Sequence, residues 1–213
     1  MTPPSIHLRR AIASDLDAIL ALERATGLAP HWPPSAYADI LDSNDLGAPS
    51  IPRSLRNGWE TANQRCLLVA EKDNSLAGFA VGLLQPGAPF IPRSLRNGGE
   101  IASQSSGRNH IHEPTDASTP QRIAELESVV VSANARRAGI GRALCLAVLD
   151  WCRAQCATEV VLEVRAASAA AVALYAGLGF TLAARRPRYY RDPDDDALLL
   201  RLPLQPNGGR IED

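Results

Sequence analysis

The sequence has no apolar run long enough to cross a membrane. Its longest candidate, Ala138 to Cys152, is broken by Arg142 and Asp150. No apolar segment follows Arg9-Arg10 near the start, so a secretory leader is not expected. No block of lysine and arginine reads as a nucleic-acid-binding arm, and the net charge is only -1 with a sequence pI of about 6.4. The acidic run Asp192 to Asp196 is short, contains Pro193 and reads as a solvated turn. The four cysteines, Cys66, Cys145, Cys152 and Cys156, lack the spacing of a disulfide framework or a zinc site. Cys145, Cys152 and Cys156 fall at i, i+7 and i+11, which places them on one helical face as buried small hydrophobes. His110-x-His112-Glu113 lies in a polar loop with no third ligand in pattern, so no metal is expected. These absences leave a cytoplasmic protein with no membrane partner and no direct nucleic-acid partner as the expectation.

What is there suits one globular domain. The 213 residues are 46% hydrophobic and 21% charged, enough for a real core. Ile6 to Ala11 alternates as a strand. A helix follows, with Ser14 as N-cap and Asp17 completing a capping box, and it stops near Gly27 and Pro30. Trp32-Pro33-Pro34 is a turn and Ser35 to Leu41 a second short helix. Cys66 to Glu71 and Gly78 to Leu84 are apolar runs joined by Asp73-Asn74-Ser75, which marks a hairpin. Glu125 to Val131 and Glu159 to Arg165 are strands flanking an amphipathic helix, Gly139 to Arg153. Ser168 to Ala176 is a short helix ended by Gly177. Phe180 to Ala184 and Ala197 to Leu202 are the last strands. The pattern predicts a single domain over 1–204, with loop insertions at about 42–60 and 85–122 and a flexible tail at 205–213.

The two insertions carry near-copies of one segment. Gly47 to Glu60 reads GAPSIPRSLRNGWE and Gly87 to Glu100 reads GAPFIPRSLRNGGE, differing at Ser50/Phe90 and Trp59/Gly99. Two copies do not build a solenoid. They read either as a duplicated loop or as a pair of basic loops, with Arg53, Arg56, Arg93 and Arg96, near a substrate mouth.

The strongest local signal runs from Val131 to Ala143. A β-branched strand turns at Arg136-Arg137-Ala138 into a helix opened by Gly139-Ile140-Gly141. Unpaired N–H groups gather at the positive end of that helix dipole, a natural place for phosphate. Glycine lets the backbone approach a ligand with no Cβ in the way. Arg137 and Arg142 are placed to add charge-assisted bonds. A dinucleotide fingerprint would need a third glycine where Leu144 stands, and a P-loop would need Gly-Lys-Ser/Thr. Taken alone, the pattern favours phosphate binding only slightly over a helix that merely starts with glycines.

With its surroundings, this segment resembles the GNAT superfamily of N-acetyltransferases. Arg136, Gly139 and Gly141 match that superfamily's acetyl-CoA signature, Gln/Arg-x-x-Gly-x-Gly/Ala. Leu162-Glu163-Val164-Arg165-Ala166, the run Ala169 to Tyr175, Leu178-Gly179-Phe180 and Arg188-Tyr189-Tyr190 are most similar to the RimI type, the ribosomal-protein alanine N-acetyltransferases. The likeness covers Glu125 to Leu204 well and Ile6 to Leu84 loosely. Ala133 stands where the family usually has proline, and Ser168 where it usually has an asparagine that contacts the cofactor.

The resemblance implies an α/β (α+β) GNAT fold, a central mixed, mostly antiparallel sheet with splayed middle strands flanked by helices. It implies acetyl-CoA as cosubstrate, held by Val129, Val130, Val131, Arg136, Arg137, Ala138, Gly139, Ile140, Gly141, Arg142 and Ser168. It implies a protein N-terminal α-amine as acceptor, possibly a ribosomal protein, with Glu163 as base and Tyr175 as acid in a direct attack. An N–H among Val129 to Val131 would stabilise the oxyanion. Ser168 remains able to cap its helix. By the residues alone, Tyr175 also reads as a packing residue, and Glu163 as an edge-strand carboxylate paired with a neighbour of Arg165. Glu125 and Glu127 are rival bases, and Tyr189 and Tyr190 are expected in a loop bordering the acceptor. Acetylation of a small amine or another peptide, and a non-catalytic acyl-CoA-binding module, stay open as alternatives.

Overall fold

In the computed structural model, residues 6–27, 31–44, 64–85 and 122–205 are described. The duplicated segments, His110, His112 and the tail beyond Gln205 lie outside them. The described chain forms β1 (Ile6–Arg10), a 3-10 turn (Ala13–Asp15), α1 (Leu16–Arg24), α2 (Pro34–Asn44), β2 (Gln64–Lys72), β3 (Ser75–Leu84) and β4 (Ile123–Val131). It continues through α3 (Ile140–Ala154), β5 (Glu159–Arg165), α4 (Ala169–Ala176), β6 (Thr181–Tyr190) and β7 (Asp195–Pro203).

Seven strands make one sheet in the order β1-β2-β3-β4-β5-β7-β6, and every neighbouring pair is antiparallel except β4 with β5. This is the mixed, mostly antiparallel sheet that the family resemblance implies. The β2–β3 hairpin turns at Asp73 (φ 51) and Asn74 (φ 59), two short polar residues that tolerate the left-handed region.

Each face of the sheet carries its own core. One is covered by α3 and α4. The buried stripe Ile140, Leu144, Cys145, Val148, Leu149 and Cys152 of α3 packs there on Ala80, Ala124 and Leu126. Glycines in β3 let α3 come close: a Cβ at Gly78 would stand 3.1 Å from Leu144 Cδ1 and 3.2 Å from Ile140 Cγ2, and one at Gly82 would stand 2.8 Å from Val148 Cγ1. The other face is covered by α1 and α2, with Ile19, Trp32, Tyr37 and Ile40 on Leu67, Val69, Phe79 and Val81. Glu23 is buried inside this second core. It accepts hydrogen bonds from the Tyr37 hydroxyl (2.5 Å) and the Trp32 backbone N–H (3.1 Å), which offsets the cost of removing its carboxylate from water.

Several local expectations are corrected. Ser14 does not cap α1. Asp15 stands at the N-cap position of α1 but its side chain caps nothing there; it reaches back to the Ile12 N–H at 2.9 Å, before the 3-10 turn, and takes two bonds from Arg9 at 2.6 and 2.8 Å. Cys66, Cys145 and Cys152 are buried, and burial pushes each thiol up to about 12, but Cys156 is exposed. It sits beyond the end of α3 with φ 57, so the helical face never reaches it. α4 ends at Ala176 with Gly177 as its C-cap, as expected, and Gly179 (φ 93) then takes the left-handed conformation. β6 runs on to Tyr190, which places Tyr189 and Tyr190 on a strand and not in a loop. No described helix is long and apolar enough to cross a membrane.

Candidate active site

The site begins with a failure of strand pairing. β4 pairs with β5 only from Ile123↔Glu159 to Glu125↔Val161. Beyond that, β5 continues along β7 up to Arg165↔Ala197, while β4 stays with β3 up to Gly78↔Val131. The cause is visible in the register. Val81 opposes Ser128 and Gly82 opposes Leu126, so Glu127 is an extra residue, a bulge that bends β4. The two strands therefore splay, and among the described residues no strand pairs with the outer edge of β4 from Val129 to Val131. Its backbone groups on that edge need partners. The Val130 side chain is buried on the α1/α2 face and its carbonyl oxygen lies against Gly78 of β3, so the backbone groups turned to the gap are those of Val129 and Val131.

The chain then turns into α3. Arg136 is extended, and its Nε donates to the Val131 carbonyl at 3.4 Å. Arg137 (φ 64) and Gly139 (φ 81) both take the left-handed conformation. The first intrahelical bond joins the Ala143 N–H to the Gly139 carbonyl at 3.0 Å, so the N–H groups of Ile140, Gly141 and Arg142 precede it. Arg136, Arg137, Ala138, Gly139 and Arg142 are exposed around this end, whereas the Ile140 side chain is buried and only its backbone is available. A Cβ on Gly139 would meet nothing within 4 Å, and one on Gly141 would reach Leu174 Cδ2 at 3.4 Å and Val131 Cγ2 at 3.6 Å. Free N–H groups, a dipole end and three guanidiniums suit a pyrophosphate, and the bare edge of β4 suits an amide-containing arm.

Glu163 lies on β5 opposite Leu199, at the level where β4 has already departed. Its Oε1 is 3.0 Å from Nη1 of Arg186 on β6, and the two side chains are 13% and 25% exposed. The Arg186 guanidinium lies 5.6 Å from the Tyr189 ring centroid, Tyr189 meets Tyr190 edge-on at 5.0 Å, and Arg165 lies 4.2 Å from the Tyr190 ring. Burial, and secondarily the Glu163 carboxylate, push the Tyr190 phenol up to about 12. Tyr175 on α4 is 8% exposed and packs edge-on against Phe180 at 5.8 Å. Burial holds its phenol well above the ordinary value, so at neutral pH it is a proton donor and not a phenolate.

Other candidates are engaged elsewhere. Glu127 forms a bidentate pair with Arg65 at 2.8 and 3.2 Å and its side chain is 1% exposed, and Glu125 accepts from Gln85 at 3.3 Å. Ser168 stands at the N-cap of α4, but its side chain makes no capping bond; its carbonyl accepts from Val172 at 3.0 Å instead. A cavity of about 260 Å³ lies beside the β4–α3 turn, lined by Lys72, Ser75, Ser132 and Asn134, and neither Glu163 nor Tyr175 reaches it. Among the described residues, no group of histidine, cysteine, aspartate and glutamate is arranged to hold a metal. Sequence reasoning missed Arg186 and Arg65. Each reaches its carboxylate only through the sheet register, so no spacing signal marks either.

The model of the acetyltransferase (GNAT) family matches residues 34–180. Over 83 residues the chain is 40% identical to the [ribosomal protein bS18]-alanine N-acetyltransferase of Escherichia coli strain K12, an alignment spanning 38% of this chain and 56% of that protein. The chain thus spans about half the length of the curated relatives it matches. The crystal structure of the ribosomal-protein-S18-alanine N-acetyltransferase from Escherichia coli superposes with a TM-score of 0.62 at 20% identity, covering 98% of this chain and 100% of that one. Arabidopsis thaliana NAA60 in complex with acetyl-CoA superposes at 0.64 and 17% identity, covering 94% and 100%. At these identities the two structures speak for the fold, while the family model covers well over half of the sequence. The chain belongs to the acetyltransferase (GNAT) family.

Proposed function

We propose that this protein transfers the acetyl group of acetyl-CoA to the α-amine of a protein N-terminus, the favoured acceptor being the N-terminal alanine of a small-subunit ribosomal protein. The observation that carries this reading is the edge of β4 at Val129–Val131, beyond its last pair with β5, which runs into the glycine-turned N-terminus of α3. The acceptor is favoured by the chain's likeness to a protein named for acetylating bS18 alanine.

In this mechanism, Arg136, Arg137, Arg142 and the N–H groups of Gly139 to Arg142 bind the pyrophosphate. The edge of β4 holds the pantetheine arm and presents an N–H to the thioester carbonyl, where charge develops as the amine attacks. An α-amine has an ordinary pKa of roughly 7.7–8.0, so a useful fraction is already neutral at pH 7. Glu163 takes the proton that the nitrogen loses on forming the C–N bond, directly or through water. Tyr175 gives its proton to the sulfur as the C–S bond breaks, and water restores it. No acyl-enzyme is required, in keeping with the burial of Cys66, Cys145 and Cys152.

The test is thiol release from acetyl-CoA with peptides that begin in alanine, serine or acetylated alanine. Turnover on the free-alanine peptide alone is expected. Bound acetyl-CoA with no turnover on any peptide would remove the protein-acetylation reading and point to a small amine.

A further inference from the structure

Glu127 is the bulged residue that turns β4 away from β5, and its carboxylate is not in the gap that the bulge opens. It is bound on the α1/α2 face by Arg65, which reaches it from β2 across β3 with Nε at 2.8 Å and Nη2 at 3.2 Å. The same guanidinium lies 6.0 Å from the ring centroid of Trp32, in the connection between α1 and α2. Arg65 thus ties together β2, the bulge and the segment that enters α2. A bulge is the weakest point of a ladder, because its extra residue makes no regular pair. Here a two-point charged fork takes the place of that missing pair and fixes the direction in which Val129–Val131 leaves it.

We propose that Arg65 and Glu127 are a positioning pair for the acetyl-CoA groove. Neither touches the cosubstrate; together they set the angle at which the edge of β4 meets it. This rests on the reading that Val129–Val131 lines that groove, and it removes Glu127 from the list of bases.

The test uses the full chain and four variants, Arg65→Met, Glu127→Gln, the double variant, and Arg65→Lys. CoA affinity is measured by calorimetry, and kcat and KM for acetyl-CoA are measured across pH 6–9. Each single variant is expected to weaken CoA binding and raise KM about tenfold, on the scale of the losses caused by misplacing a bound reactant. The pH profile of kcat keeps its shape. The double variant is no worse than either single one, as expected for residues that act as a unit. Arg65→Lys, which keeps the charge without the fork, recovers part of the affinity. If Arg65→Met does not fold, Glu127→Gln and Arg65→Lys carry the same comparison. A Glu127→Gln enzyme that binds CoA normally but has lost kcat overturns the proposal and makes Glu127 a base. Unchanged affinity in every variant reduces the pair to a structural contact. Failure of the wild-type protein to bind CoA would sink both this proposal and the reading beneath it.

Discussion

Glu163 and Arg186 meet at 3.0 Å although β7 lies between the strands that carry them. Glu163 opposes Leu199 and Arg186 opposes Ala197, so both side chains lean over the same face of β7. The proposed base is therefore a carboxylate whose direction is set by an arginine, and that arginine stands at 5.6 Å from the Tyr189 ring. Glu163→Gln keeps the shape and a hydrogen bond but cannot take a proton. Its kcat should fall about 10²- to 10³-fold with CoA affinity unchanged. Arg186→Met leaves the carboxylate present but unaimed, and its kcat should fall less, about tenfold. Steady-state kinetics beside CoA titration separate the two; an Arg186→Met enzyme as fast as wild type denies Arg186 a positioning role.

Tyr175→Phe removes a hydroxyl and leaves the ring against Phe180. Folding stability should change by no more than about 1 kcal/mol, while kcat drops about 10²-fold. Thermal melting and turnover on the same sample check this. Intact turnover would return Tyr175 to the packing role that its helical spacing also allows.

Gly78 and Gly139 should fail in different ways when replaced by alanine. At Gly139 the space is open, but φ is 81, a conformation that costs an L-residue about 1–2 kcal/mol. Relief of that strain would turn the N–H groups away from the phosphate, so CoA affinity should suffer more than stability. At Gly78 the added Cβ would stand 2.8 Å from the Val130 carbonyl oxygen, which is backbone and cannot swing aside. Overpacking there should cost about 2–3 kcal/mol of stability. Denaturant titrations with and without CoA distinguish the two; equal losses in both quantities would contradict the assignment.

Asp15 supplies a pH signature. The Arg9 guanidinium holds its carboxyl below the usual range, and the Asp15 side chain is 11% exposed. A depressed folded-state pKa gives stability that is complete above the unfolded value, near roughly 3.9, and lost as pH falls through the folded one. Urea denaturation at pH 7, 5 and 3 should show the wild type losing stability at the lowest pH. Asp15→Asn should be less stable at pH 7 and flatter below pH 5. Parallel curves would show that other carboxylates govern the acid limb.

The elements around α3 were legible because they announce themselves locally. The glycine turn, the apolar stripe of α3 and the β-branched strands before and after it each carry their own period or φ requirement. The Asp73-Asn74 turn was readable for the same reason. The far end of β6 was not. Arg185-Arg186-Pro187-Arg188 reads as a polar loop, yet an edge strand faces water and tolerates a proline that lacks a donor. The bulge at Glu127 was equally hidden, since it exists only as a mismatch between β3 and β4. The sequence contains both partners of Arg65–Glu127 and Glu163–Arg186, but only the sheet register says that they meet. Cys156 shows the opposite error, a helical spacing extended past the helix that would have obeyed it.

The sheet is two blocks stitched at one place. β1 to β4 and β5 to β7 are each continuous, and β4 and β5 share only three residue pairs. A molecule lying along Val129–Val131 fills the position a further stretch of strand would occupy, so it fastens the blocks from within. Mass action then gives the fold a dependence on supply: at a free ligand concentration one hundred times its dissociation constant, stability rises by about 2.7 kcal/mol. On the proposed binding mode, the melting point of this protein is a gauge of how much acyl donor surrounds it.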